Sequence, residues 1–142
     1  MKRTGSAVWN GDLKGGKGTV STESGVLKKI QYSFTTRFED GKDGTNPEEL
    51  IAAAHSGCFT MALAFQLTNA GFEPTELTTV ATVSMEKQDP GWTITNIHLE
   101  TSGKVPEVDA AKFGELADTA KKGCPISRAL SATPITMTAT LL

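Results

Sequence analysis

The stretch TNPEELIAAAHSGCFTMALAF, residues 45–65, sets the fold of this chain. It opens with the signals of a helix start. Thr45 or Asn46 supplies a cap, Pro47 suits the first helical position, and Glu48 and Glu49 complement the positive end of the helix dipole. From Leu50 to Leu67 no residue is charged, and a helix apolar on nearly every side is a buried, central one. Residues 50–67 are long enough to span a bilayer, but His55, Ser56, Gln66 and the alanine-rich composition favour a core helix. Gly71 and Pro74 in NAGFEP stop it. Inside this run sits Cys58. Free cysteine usually behaves as a small buried hydrophobe, so packing is its default reading.

Outward from the helix, the first 40 residues read as strands joined by glycine-rich turns. AVW and GTVSTE are short β-like runs separated by NGDLKGGKG. QYSFTTRF, residues 31–38, alternates, with Tyr32, Phe34 and Phe38 on one face and Ser33, Thr35 and Arg37 on the other. This places Arg37 in a strand, where a solvated surface arginine is the bland interpretation. After the helix, LTTVATVSME, KQDPGW and WTITNIHLET form a hairpin, with Leu77, Ala81, Val83 and Met85 on one face. A change of phase at Asn96 suggests a bulge. VDAAKFGELADTAKKG is a second helix with Ala111, Leu116, Ala117 and Ala120 as inner positions. CPISRAL starts a short third helix, and PITMTATLL is a closing strand. The order predicts an α+β fold in one domain, residues 1–142.

Composition narrows the function classes. The chain is 38% hydrophobic and 21% charged, with a formal charge of -2. It carries no basic patch for nucleic acid. MKRTGSAVWNGD has two positive charges but no apolar run behind them, so the expectation is a cytoplasmic protein with no membrane association. Two cysteines without an export signal argue against a structural disulfide framework.

Cys124 precedes Pro125 at a helix start, where first-turn N–H groups lower a thiol pKa. A small residue filling a corner explains it equally well. Cys58, buried mid-helix, becomes a nucleophile when a cation reaches it from another segment. His55, three residues earlier, opens a cysteine-hydrolase reading, although no third group is visible. Two cysteines and two histidines make a poor zinc pattern, and no metal or cofactor is expected.

NPEELIAAAHSGCFTMAL, followed by KKGCPIS, resembles the OsmC/Ohr family of organic hydroperoxide reductases. AVWNGDLKGGKGTVSTESGVL and RFEDGKDGTNPEEL resemble its OsmC branch. The resemblance runs from about Ala7 to Ser131 and implies an OsmC-like fold in an intertwined homodimer. It further implies cysteine-based peroxide reduction, with Cys58 as peroxidatic and Cys124 as resolving cysteine. Glu48 matches the acidic residue that orients an active-site arginine, and Arg37 matches the arginine. The implied partners are organic hydroperoxides, favoured over hydrogen peroxide, and a lipoyl-type dithiol reductant.

Glu48 and Cys58 are ten residues apart, roughly 15 Å along a helix axis. An arginine between them nearly bridges that gap. Alternatively, two helices packed antiparallel bring Glu48 of one copy to Cys58 of the other. Ala52, Ala53, Ala54, Ser56 and Gly57 permit such close packing, so a site completed across a homodimer interface is expected. The alternative class is a non-catalytic ligand-binding or stress-interaction protein on the same fold.

Overall fold

The computed structural model describes residues 1–142 and contains six strands and four helices, as an α+β chain should. The chain divides into two compact units, residues 1–50 and 51–142.

In the first unit, β1 (Gly5–Asn10), β2 (Lys17–Thr22) and β3 (Ile30–Ser33) form an antiparallel meander in that order. The β1–β2 turn is built on Asp12, whose Oδ1 accepts from the Lys14 and Gly15 amides at 2.9 and 2.6 Å. Gly18 pairs with Trp9 on one side and Tyr32 on the other. A Cβ there would overlap both rings, whose centroids stand 5.4 Å apart across it.

β3 ends earlier than the alternation suggests, which corrects the placement of Arg37. Residues Phe34–Phe38 are a one-turn helix, α1, rather than the end of a strand. The cause is a capping box. Ser33 Oγ accepts from the Thr36 amide, and Thr36 Oγ1 accepts from the Ser33 amide. Two hydrogen bonds satisfy what a strand would need a neighbour to satisfy. The turn sets Phe34 against Phe38, with ring centroids 5.0 Å apart.

Helix α2 (Pro47–Asn69) begins as expected, with Asn46 as the cap, its Oδ1 accepting from the Glu49 amide at 2.8 Å. It ends in a Schellman motif. Gly71 has φ +88, the Phe72 amide bonds the Leu67 carbonyl, and the Gly71 amide bonds the Thr68 carbonyl.

The second unit pairs β4 (Glu76–Lys87), β5 (Trp92–Lys104) and β6 (Ile135–Leu141) in that order. β4 and β5 are antiparallel. Their register shifts at Ser84/Met85, where Thr95 is passed over, so the expected bulge lies one residue before Asn96. β6 returns parallel to β5 after α3 (Ala110–Gly123) and α4 (Pro125–Ala129). The core joins Phe59, Leu63 and Leu67 of α2 to Leu99 of β5 and to Phe113, Leu116, Ala117 and Ala120 of α3. In α3 the inner position is Phe113, not Ala111, which is exposed. Phe113, Leu116, Ala117 and Ala120 keep one stripe at helical spacing, and Ala111 falls off it.

Within one chain α2 is not buried all round. His55, Phe59, Leu63 and Leu67, four residues apart, face the core. Met61 is 77% and Phe65 62% exposed. The apolar residues on that side have no covering element in this chain.

Candidate active site

Each unit holds one close pair of the side chains expected at the site. In the first unit the capping box turns Arg37 out of α1 toward the first turn of α2. There Glu48 meets it edge-on, with Nη2–Oε1 at 2.8 Å and Nε at 3.3 Å from both carboxylate oxygens. Such a fork fixes a guanidinium plane more firmly than a single contact does. Glu48 is nearly buried, its side chain 12% exposed, so the carboxylate has little alternative solvation. The guanidinium carbon also lies 5.1 Å from the Phe38 ring centroid. Asn46 Nδ2 ties the start of α2 to α1 through the Thr36 carbonyl. Arg37 lines a cleft of about 260 Å³ together with Trp9, Leu13, Tyr32, Phe34 and Phe38. Trp9 is thus part of an apolar wall beside a fixed cation.

In the second unit Cys58 of α2 and Cys124 meet. Their Sγ atoms are 3.2 Å apart and both are free thiols. Cys124 ends α3 and caps α4, its own amide bonding the Ala120 carbonyl at 2.8 Å. Its Sγ accepts from the Ser127 amide at 3.5 Å. Cys124 is fully buried, whereas Cys58 is partly exposed.

The two thiols differ in acidity. Burial pushes the Cys58 thiol up, as does the adjacent Cys124, against a smaller lowering by the Ile126 amide. Burial also raises Cys124, but hydrogen bonds from the Ser127 amide, Cys58, the Ser127 hydroxyl and the Ile126 amide outweigh it. The Cys124 pKa falls below the ordinary thiol value. In the Sγ–Sγ contact the Cys124 thiol donates to Cys58 Sγ.

His55 does not turn to Cys58, as the hydrolase reading requires. It is fully buried, with Nε2 2.7 Å from Ser127 Oγ. Burial lowers its pKa and keeps it neutral. Ser127 escaped the sequence reading, although one signal marks it. It stands three residues after the cap Cys124, where an N-cap side chain accepts from the backbone. No group of three or more His, Cys, Asp or Glu side chains converges to hold a metal ion.

Residues 39–140 match the family model described as OsmC-like protein. The chain is 55% identical over 132 residues to peroxiredoxin OsmC of Escherichia coli K12, covering 93% of this chain and 92% of that protein. It is 30% identical over 118 residues to the organic hydroperoxide resistance protein OhrB of Bacillus subtilis, covering 82% and 84%. The crystal structure of Bacillus subtilis OhrB matches with a TM-score of 0.74 at 26% identity over 98% of both chains. An OsmC-like protein from Mycoplasma pneumoniae shares the fold, with a TM-score of 0.78 at 19% identity over 100% of this chain and 98% of that one.

Proposed function

The chain belongs to the OsmC-like family and has its fold, and from that premise we propose that it is a cysteine-based peroxidase that reduces organic hydroperoxides to alcohols. The observation that carries the reading is the 3.2 Å approach of Cys58 and Cys124. A disulfide has an S–S distance near 2.05 Å, so about 1 Å of movement joins the two sulfurs.

Exposure supports one division of roles. Cys124 is the more acidic thiol but is fully buried, whereas Cys58 has an accessible face. Cys58 therefore meets the peroxide and Cys124 resolves. An ordinary thiol is at most a few per cent thiolate at neutral pH and burial makes Cys58 less acidic still, so Cys58 needs a cation. Arg37, held planar by Glu48, is that cation in this proposal. An adjacent guanidinium moves an acid by about 1–3 pKa units toward its ionised form and so opposes burial. The Cys58 thiolate attacks the outer peroxide oxygen, and the O–O bond breaks. The alkoxide leaves beside the guanidinium and is protonated to the alcohol, leaving a Cys58 sulfenic acid. The Cys124 thiolate then attacks Cys58 Sγ, hydroxide departs as water, and a disulfide remains. An external dithiol, of the lipoyl type in this reading, reduces the pair.

A second copy of the chain completes the site. Glu48 and Cys58 are about 15 Å apart along one helix. The uncovered side of α2 carries Met61 and Phe65 and offers a second α2 an apolar surface. In an antiparallel pair the Arg37–Glu48 fork of one copy approaches Cys58 of the other. The apolar cleft beside Arg37 favours an organic peroxide over hydrogen peroxide. Free thiols used in this way belong in a reducing, cytoplasmic compartment.

The test is peroxide consumption with cumene hydroperoxide and a dithiol. Wild-type protein turns over, and Cys58→Ser protein does not. Equal consumption by the two would instead favour a non-catalytic binding protein on this fold.

A further inference from the structure

His55 is fully buried on α2, and nothing in the reaction just described uses it. Its Nε2 is 2.7 Å from Ser127 Oγ, while Nδ1 is buried without a partner. Ser127 itself is only 6% exposed. Its amide donates to Cys124 Sγ at 3.5 Å.

The orphan nitrogen fixes the direction of this chain. A buried N–H without an acceptor is rarer and costlier than a bare acceptor. The proton of the neutral ring therefore sits on Nε2, and Nδ1 is the bare acceptor. Nε2–H donates to Ser127 Oγ and so anchors the residue whose amide donates to Cys124 Sγ. A neutral histidine thus fixes a serine, and the serine amide is set on the sulfur.

We propose that His55 and Ser127 are positioning residues that hold Cys124 as the leaving thiolate when a dithiol reduces the Cys58–Cys124 disulfide. The inference rests on the two-cysteine reading. Cys58 is the sulfur with an accessible face, so the incoming thiolate attacks there. A bond forms between the reductant sulfur and Cys58 Sγ, the Cys58–Cys124 bond breaks, and its electron pair leaves on Cys124 Sγ. Thiol–disulfide exchange is faster when the leaving thiol is more acidic, and the anchored Ser127 amide stabilises the departing thiolate. The second thiol of the reductant then closes on its own sulfur in the mixed disulfide. This releases Cys58 and a cyclic disulfide, and protons from the dithiol return both cysteines to their resting state.

The pair is tested in Cys58→Ser protein, where Cys124 is the remaining thiol and its thiolate absorbance in the ultraviolet is followed against pH. Adding Ser127→Ala removes the anchor to His55 that holds the donating amide in place and moves the titration up by about one unit. Adding His55→Leu moves it the same way. His55→Gln keeps an N–H donor and stays near the parent. In protein with both cysteines, Ser127→Ala slows dithiothreitol reduction of the peroxide-formed disulfide several-fold. A titration and a reduction rate unmoved by Ser127→Ala, in protein that forms the disulfide normally, would overturn this inference alone. Wild-type protein that forms no disulfide with peroxide would overturn the two-cysteine reading beneath it.

Discussion

The Sγ atoms of Cys58 and Cys124 stand 3.2 Å apart although 66 residues separate them in sequence. Two elements produce this approach. Cys58 lies on α2 one position before the core residue Phe59, and Cys124 sits at the corner where α3 stops and α4 begins. The corner is fixed by the Ala120 carbonyl and the Ser127 amide, so the Cys124 sulfur is held in reach of Cys58 while both are free thiols. In Cys124→Ser protein the first peroxide is still reduced, but sustained turnover is lost. Mass spectrometry after excess peroxide then shows gains of about 32 or 48 Da as Cys58 climbs to sulfinic and sulfonic acid. A stable, fully active Cys124→Ser enzyme would remove Cys124 from the mechanism.

The fork between Arg37 and Glu48 gives a second prediction. Arg37→Lys keeps the charge but loses the planar donor edge, and Glu48→Gln keeps the shape but loses the carboxylate charge. Arg37→Ala lowers kcat/KM for cumene hydroperoxide by about a hundredfold or more, as for loss of a donor at a developing oxyanion. Arg37→Lys falls in between. An unchanged kcat/KM in Arg37→Ala would leave the thiolate to be activated by another group.

Ser33 places Arg37. Without its hydroxyl, α1 loses the capping box that ends β3. Ser33→Ala costs about 1 kcal/mol in urea unfolding. It also lowers peroxidase activity, because the turn that aims Arg37 at Glu48 is loosened. A loss of stability with full activity would show that the fork holds its place without the cap.

His55 makes stability depend on pH. Its folded pKa lies below the ordinary value, so on acidification the unfolded chain takes up a proton that the folded chain refuses. The unfolded state then binds more protons, and stability rises with pH across that window. The contribution is complete above about pH 6.5 and is lost progressively as pH falls below it. Urea midpoints therefore drop between about pH 7.5 and pH 5.5 in wild type, and less steeply in His55→Gln. Parallel slopes in the two proteins would mean that His55 titrates normally.

The open side of α2 gives the prediction for assembly. Met61 and Phe65 are covered by a second copy in the proposed dimer. Phe65→Glu shifts sedimentation toward the monomer and lowers activity with it, since the Arg37–Glu48 fork then lacks its Cys58. A monomeric Phe65→Glu protein with full activity would place the whole site in one chain.

Much of this was legible in the sequence, and the gaps have physical causes. The start and stop of α2 rest on local chemistry, and Asn46, Pro47 and Gly71 could be read without any tertiary information. Residues 31–38 were not so transparent. Aromatic alternation mimics a strand, whereas the capping box formed by Ser33 and Thr36 decides for a helix. Ala111 and Phe113 show the same limit in α3, where an alanine-rich run leaves the inner stripe ambiguous until the sheet beneath it is known. For α2, an uncharged sequence cannot say whether burial comes from its own chain or from another. The meeting of Cys58 with Cys124 and of His55 with Ser127 depends on how α4 packs, which no local pattern encodes.

The most direct test of the central claim is anaerobic thiol titration with intact mass before and after one equivalent of cumene hydroperoxide. The account expects both thiols to disappear together with a mass loss of about 2 Da, one intramolecular disulfide per chain. Two thiols that survive beside intact peroxide would contradict it and return Cys58 to the core as a packing residue.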